Sequence, residues 1–160
     1  MNVSKYMTQK VIAVEPERSV KDAFLMMRAR RVRHLPVVDG DELIGIISDR
    51  DLRRPRWAES IDDWTAYYQI DDAVTVKDVM TSNPEVVHTY DEILKAVRIF
   101  REQRYGALPV LDKKGDLVGV LSAHDLLLAL EEALTEDAAA KGGKNKNKGK
   151  DKKRKKDKKS

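Results

Sequence analysis

Two acids occupy matching places in this chain. Ser48-Asp49-Arg50-Asp51 and Ser122-Ala123-His124-Asp125 both read Ser-x-x-Asp, and each follows a glycine-containing apolar run. A carboxylate so placed can accept hydrogen bonds from both hydroxyls of a cis-diol, and bonds to an ionised group are the stronger ones. A serine at a helix start lies where backbone N–H groups point outward, which suits an anion. Arg33 and His34 precede an apolar strand and add donors of the kind that neutralise phosphate. Val11, Ile12, Ile46 and Val120 are apolar strand residues able to cover the two faces of a flat ring. The same tetrapeptides are also plain helix caps, a serine N-cap with an acid three residues on. Both readings can hold at once, because a cap fixes where the acid points. Arg28, Arg30, Arg31 and Arg33 equally fit the solvated C-terminal end of a helix.

Other chemistries are poorly supplied. With no cysteine there is no disulfide, thiolate zinc site or cysteine nucleophile. The three histidines are His34, His88 and His124; the last two read as surface side chains, and no metal site is implied. There is no Gly-rich phosphate loop and no nucleophile elbow. Asp49, Asp51 and Glu42 are close in sequence but fit turn and cap positions, so the expectation is a protein without catalytic activity and without a required cofactor. Met26 and Met27 read as core or interface filler. No apolar run approaches the roughly 20 residues that span a bilayer, and Met1–Lys5 lacks the apolar core of a signal peptide. A soluble cytoplasmic protein is expected.

The elements that must position these residues come as a duplication. Met7-Thr8 returns as Met80-Thr81, and Leu35-Pro36-Val37 as Leu108-Pro109-Val110, both at an offset of 73. Gly45-Ile46-Ile47-Ser48 matches Gly119-Val120-Leu121-Ser122 at 74, one residue having been added in the second turn. Each copy predicts a short strand (Val11–Val14; Val86-Val87), then an amphipathic helix. Those helices carry Val20, Ala23, Phe24 and Met27 in one copy, and Ile93, Ala96, Val97 and Phe100 in the other, at i, i+3, i+4, i+7 spacing. Thr89-Tyr90-Asp91-Glu92 predicts a capping box for the second helix. Two strands joined by a tight turn follow, and their prolines, Pro36 and Pro109, place them at a sheet edge or at a strand start. A closing helix begins at Ser48, and its twin runs from Ser122 through Leu134.

The fold class is therefore α/β (α+β), two tandem β-α-β-β-α repeats. Repeat 1 spans 3–54, an aromatic and acidic insert 55–75, repeat 2 76–134, and a flexible Lys-rich tail 135–160. About 50 ordered residues make a marginal core, so two copies packed sheet against sheet about a pseudo-twofold are expected. The insert holds Trp57, Trp64, Tyr67 and Tyr68 among several acids, too aromatic for a flexible linker. The last 20 residues carry 12 Lys and Arg against two Asp, a net of +10; the whole chain is +4, which leaves the first 140 at −6. That tail has nothing apolar to offset its ordering entropy and is expected to be disordered. Its charge favours non-specific, salt-sensitive binding of polyanions, with a nucleic-acid-associated protein as the alternative function. Leu126, Leu127, Leu128, Leu130 and Leu134 make an apolar surface wider than one stripe, which predicts a homodimer.

The doubled motifs resemble the CBS-domain pair, the regulatory module named after cystathionine β-synthase. The carrying residues are Met7-Thr8, Arg33–Asp39 and Gly45–Asp51 in copy one, with Met80-Thr81, Gly106–Asp112 and Gly119–Asp125 in copy two. The likeness covers about residues 3–134. The insert also looks like that of stand-alone pairs of the acetoin-utilisation type. The resemblance implies a regulatory module, without catalysis, that binds an adenosine-containing ligand (AMP, ADP, ATP or S-adenosylmethionine) in the clefts between its repeats and acts on an effector protein not identified by the sequence. It implies that Asp51 and Asp125 hold ribose hydroxyls, with Ser48, Arg50, Ser122 and His124 in the same motifs and the serines near ribose or phosphate. Arg33 and His34 would contact phosphates. For the Asp51 cleft the facing repeat would add Thr89, Tyr105, Gly106 and Ala107. Copy two offers Gly106-Ala107 where copy one has Arg33-His34, so the Asp51 cleft is expected to prefer a phosphorylated nucleotide. The Asp125 cleft would take a less charged adenosyl compound or stay empty.

Overall fold

The computed structural model describes residues 1–53 and 74–154, so the aromatic insert and its likeness to acetoin-type pairs lie almost wholly outside the described residues. The chain divides into two compact units, Met1–Ala123 and His124–Ser160. The first unit contains short helix α1 (Val3–Tyr6), helix α2 (Val20–Arg30), strands β1 (His34–Asp39) and β2 (Glu42–Ser48), and one-turn helix α3 (Asp49–Arg53). Then come α4 (Val76–Val79), β3 (Thr81–Ser82), β4 (Val87–His88), α5 (Ile93–Gln103), β5 (Ala107–Leu111) and β6 (Leu117–Ser122). Helix α6 is Ala123–Arg154.

The helices follow their apolar spacing. Ser19 caps α2 by accepting the Asp22 N–H at 3.1 Å, and Val20, Ala23 and Met27 are buried. In α5 Ala96 and Phe100 are buried, while Val97, at the margin of the stripe, is 39% exposed, against expectation. The capping box at Thr89 is also absent. Glu92 is the N-cap and its side chain makes no cap bond. The Thr89 main chain is held extended, its N–H donating to the Leu111 carbonyl and its carbonyl accepting from Ser4. Asp91 instead closes the preceding turn, accepting from the His88 N–H at 2.8 Å and the Lys95 ammonium at 2.7 Å. Burial opposes ionisation of Asp91, but the Lys95 ammonium and the His88 N–H outweigh it and hold the carboxyl below its ordinary range.

Two three-stranded sheets form, ordered β1-β2-β3 and β4-β5-β6. The strand expected at Val11–Val14 reduces to one bridge, Val14 parallel to Val37. Val14 donates to the Pro36 carbonyl at 2.9 Å and accepts from Val38 at 3.0 Å. The next rung toward the N-terminus would need a Pro36 N–H, which proline lacks. The same limit acts at Pro109, where the parallel partner β4 starts only at Val87. Pro36 lies on β1, an edge strand of its sheet apart from the single Val14 bridge, as expected; Pro109, the third residue of β5, lies on the middle strand of its sheet, against the expectation.

The start of each copy is built into the other copy's half. Thr8 bridges Val120 on β6, as Thr81 bridges Ile46 on β2. Val3 donates to Asp91, as Val76 donates to Arg18; Ile93 donates to Met1, as Val20 donates to Val74. Met7 lies against Gly119 and Met80 against Gly45, each where a Cβ would stand. Every one of these contacts has its twin at the repeat offset, which is the pseudo-twofold. The core of repeat 1 is accordingly completed by Val76, fully buried with Val14, Val20, Ala23, Met27, Leu35, Val37, Ile47 and Leu52.

In α6, Leu127, Leu128, Leu130 and Leu134 are all exposed, and Ala129 is buried. Residues 134–139 are exposed throughout. From Lys141 onward the sequence has no apolar side chain and contains three glycines. Helix there rests on propensity alone, and each glycine costs about 1 kcal/mol relative to alanine. Such helicity is marginal in water, in keeping with the flexible tail expected from composition. Among the described residues no helix is long and apolar enough to cross a membrane.

Candidate functional site

The Asp51 carboxylate is positioned by its own helix start. Its Oδ2 accepts from the Ser48 N–H at 2.8 Å and from the Ser48 hydroxyl at 2.7 Å. The Asp51 N–H donates back to Ser48 Oγ at 3.3 Å. This reciprocal capping box occupies the serine hydroxyl as donor and acceptor. It leaves Oδ1 without a hydrogen bond among the described residues. Helix α3 has a single turn, too short for a substantial macrodipole, so any anion here depends on side-chain cations.

Asp51 stands in a cleft of about 480 Å³. From copy one it is lined by Arg33, His34, Ile46, Ile47, Ser48, Asp49, Arg50 and Asp51. Thr81 of β3, Arg104, Tyr105, Gly106, Ala107 and Ala123 close it from copy two. The lining thus carries three guanidiniums and two carboxylates, with Ile46 as its aliphatic side chain, while Ile47 is fully buried in the repeat 1 core. Arg104 lines it at the C-cap of α5, in the left-handed conformation, φ 57°. His34 packs on Gly106, its Nε2 occupying the place where a Cβ at 106 would stand. Burial lowers the His34 pKa below its ordinary 6.5; Asp49 and Asp51 push it up, and Arg33 and Arg50 push it down. His34 is therefore a neutral donor or acceptor at pH 7, not the cation expected from its neighbourhood in the sequence.

Of the residues expected at this cleft, Arg33, His34, Ile46, Ser48, Arg50, Asp51, Tyr105, Gly106 and Ala107 are brought together. Thr89 is not: it is the counterpart of Pro16, tied by its backbone to β5 and to α1. Val11 and Ile12 do not line it either, and Ile12 packs on the repeat 1 core instead. Val120 and Ser122 lie on β6 at the places equivalent to Ile46 and Ser48, and His124 and Asp125 open α6 in the second unit. The sequence reading missed Thr81 and Arg104. Thr81 had a signal, the repeated Met-Thr pair, but only the exchange of segments gives it a place. A second depression, of about 550 Å³, is lined by Asp41, Glu42, Leu43, Asn83, Pro84, Val86, Leu111 and Gly115. It has carboxylates and no cation, so it does not suit an anion. Among the described residues no cluster of His, Asp or Glu is placed to hold a metal ion.

The CBS domain profile matches residues 3–56 and 76–132. The chain belongs to the CBS-domain family. A CBS domain-containing protein of Dictyostelium discoideum is 32% identical over 137 residues, covering 82% of this chain and 92% of that one. The crystal structure of the CBS-pair protein CBSX2 from Arabidopsis thaliana superposes with a TM-score of 0.72 at 29% identity, over 84% of this chain and 96% of that one. A structure of CBSX2 in complex with AMP gives 0.67 at 30%, over 82% and 97%. The inosine-5′-monophosphate dehydrogenase of Thermoplasma acidophilum is 34% identical over 117 residues, which is 73% of this chain but 21% of that enzyme. CBS pairs are generally regulatory modules, and in such an enzyme the pair is a minor part of a longer catalytic chain.

Proposed function

We propose that this CBS pair is a non-catalytic regulatory module that binds a phosphorylated adenosine compound, AMP, ADP or ATP, in the Asp51 cleft. The observation that carries this is the convergence in one cleft of a carboxylate with one oxygen unbonded among the described residues, three arginines and the Ile46 side chain. Asp51 Oδ1 would take the ribose hydroxyls, Arg33, Arg50 and Arg104 the phosphates, and Ile46 one face of the adenine. The AMP complex of CBSX2 supports the choice of ligand class. S-adenosylmethionine, with a cationic centre, fits three guanidiniums less well. Asp125, the matching acid in the second unit, would offer a second, less cationic place for an adenosyl compound. Binding would shift the geometry between the repeats, and an effector protein or a second copy would read the shift, which requires different ligand affinity in the two states. The net +10 of the tail supports a second reading, non-specific polyanion binding.

Isothermal titration of AMP into the full chain, into Asp51→Ala and into Asp125→Ala tests the assignment. Loss of hydrogen bonds to a charged group, about 1.5–3 kcal/mol, should weaken AMP roughly tenfold to a hundredfold in Asp51→Ala. Asp125→Ala should leave the tighter event in place. Equal losses in the two variants would refute the asymmetry, and unaltered affinity in both would refute the site.

A further inference from the structure

His34 is wedged between the two copies. It leaves β1 of copy one and its ring rests on Gly106, in the segment leading into β5 of copy two; a side chain at 106 would collide with it. The ring borders the cleft and cannot withdraw toward copy two. The charged and titratable groups around it are Arg33 at its own strand entry, Asp49, Arg50 and Asp51 from α3, and Arg104 and Tyr105 before β5; Thr81 on β3 is uncharged. His34 is the imidazole of this lining, the side chain type whose ordinary change of charge falls near pH 7.

Resting on the nucleotide reading above, we propose that phosphate binding in the Asp51 cleft is coupled to uptake of a proton by His34, so that the cleft responds jointly to nucleotide and to pH. The sign follows from the charges. Without an anion, burial and the two nearest arginines favour the neutral ring over the opposing pull of Asp49 and Asp51. A phosphate dianion beside the ring offsets both effects and favours the imidazolium. Affinity then strengthens as pH falls toward the lowered pKa of the free ring, by at most about tenfold per pH unit. Below about pH 6 the phosphate takes its own second proton, and the gain ends.

The experiment is titration of AMP into the full chain at pH 7 in two buffers of different ionisation heat, the difference in apparent enthalpy giving the protons taken up. In parallel, NMR follows the His34 ring resonance against pH with and without AMP, assigned by elimination with His88→Gln and His124→Gln. The expected result is net uptake by the wild-type chain, an upward-shifted His34 midpoint with AMP, and no uptake by His34→Gln. AMP that binds with equal heats in both buffers and an unmoved His34 midpoint would overturn the coupling and leave the nucleotide site standing. No heat and no ring shift at any AMP concentration would overturn both. Should His34→Gln fail to fold, the buffer pair and the wild-type resonance still decide.

Discussion

Ser48 is bonded to one oxygen of Asp51 and leaves the other, and that is what makes the acid a defined acceptor. A cap is usually read as a stability device, worth about 1 kcal/mol; here it also turns one carboxylate oxygen outward. His34 has a consequence for stability as well. Its folded pKa lies below 6.5, so the unfolded chain takes up the proton first as pH falls. The stability it contributes is complete above pH 6.5 and is lost as pH drops through the lower folded value. Denaturant midpoints measured from pH 8 to pH 5 should fall on the acid side in the wild-type chain. His34→Gln should flatten that fall, and an identical pH profile for both proteins would contradict the assignment. Arg104 shows what sequence spacing misses: nothing in the pattern singles it out, yet it lines the cleft at the left-handed C-cap of α5.

At the scale of elements, the short segments matter more than their length indicates. Helix α4 has four residues, too few to stand alone. Asp78 reaches back to the Thr75 N–H at 2.9 Å and to its hydroxyl at 2.8 Å, and Val76 is fully buried in the core of repeat 1. Val76→Ala should therefore cost roughly 2 kcal/mol of unfolding free energy. The loss should appear as a shift of one transition for the whole body, since each half contains the start of the other. Urea unfolding followed by far-UV circular dichroism checks this. A second, separated transition confined to one repeat would show that the exchanged segments do not couple the halves.

For the whole molecule, the charge is divided: the first 140 residues are at −6 and the last 20 at +10. The exposed leucines of α6 support the proposed homodimer, and the tail supports the proposed polyanion binding. Deletion of residues 141–160 separates the two. Light scattering should give a dimer mass for the full and the shortened chain, whereas mobility shift with duplex DNA should be lost on deletion and, in the full chain, fall steeply between 50 and 200 mM salt. A monomer mass at micromolar concentration would exclude the dimer. Salt-insensitive DNA binding that survives deletion would exclude the tail as its cause.

The duplication, the helices, the hairpins and the two Ser-x-x-Asp motifs were legible in the residues, because apolar periodicity and capping act over a few neighbouring positions. Most of the Asp51 cleft was named through the resemblance to CBS pairs that these motifs carry. Tertiary structure decided three things that local pattern does not contain. It set the exchange of Met1–Thr8 and Val74–Ser82 between the halves, which is a choice between two equivalent partners. It stopped the parallel strands beside Pro36 and Pro109, since a missing donor matters only once the neighbouring strand is known. It also assigned His34 to a seat on Gly106, 72 residues away in sequence, where burial keeps the ring neutral.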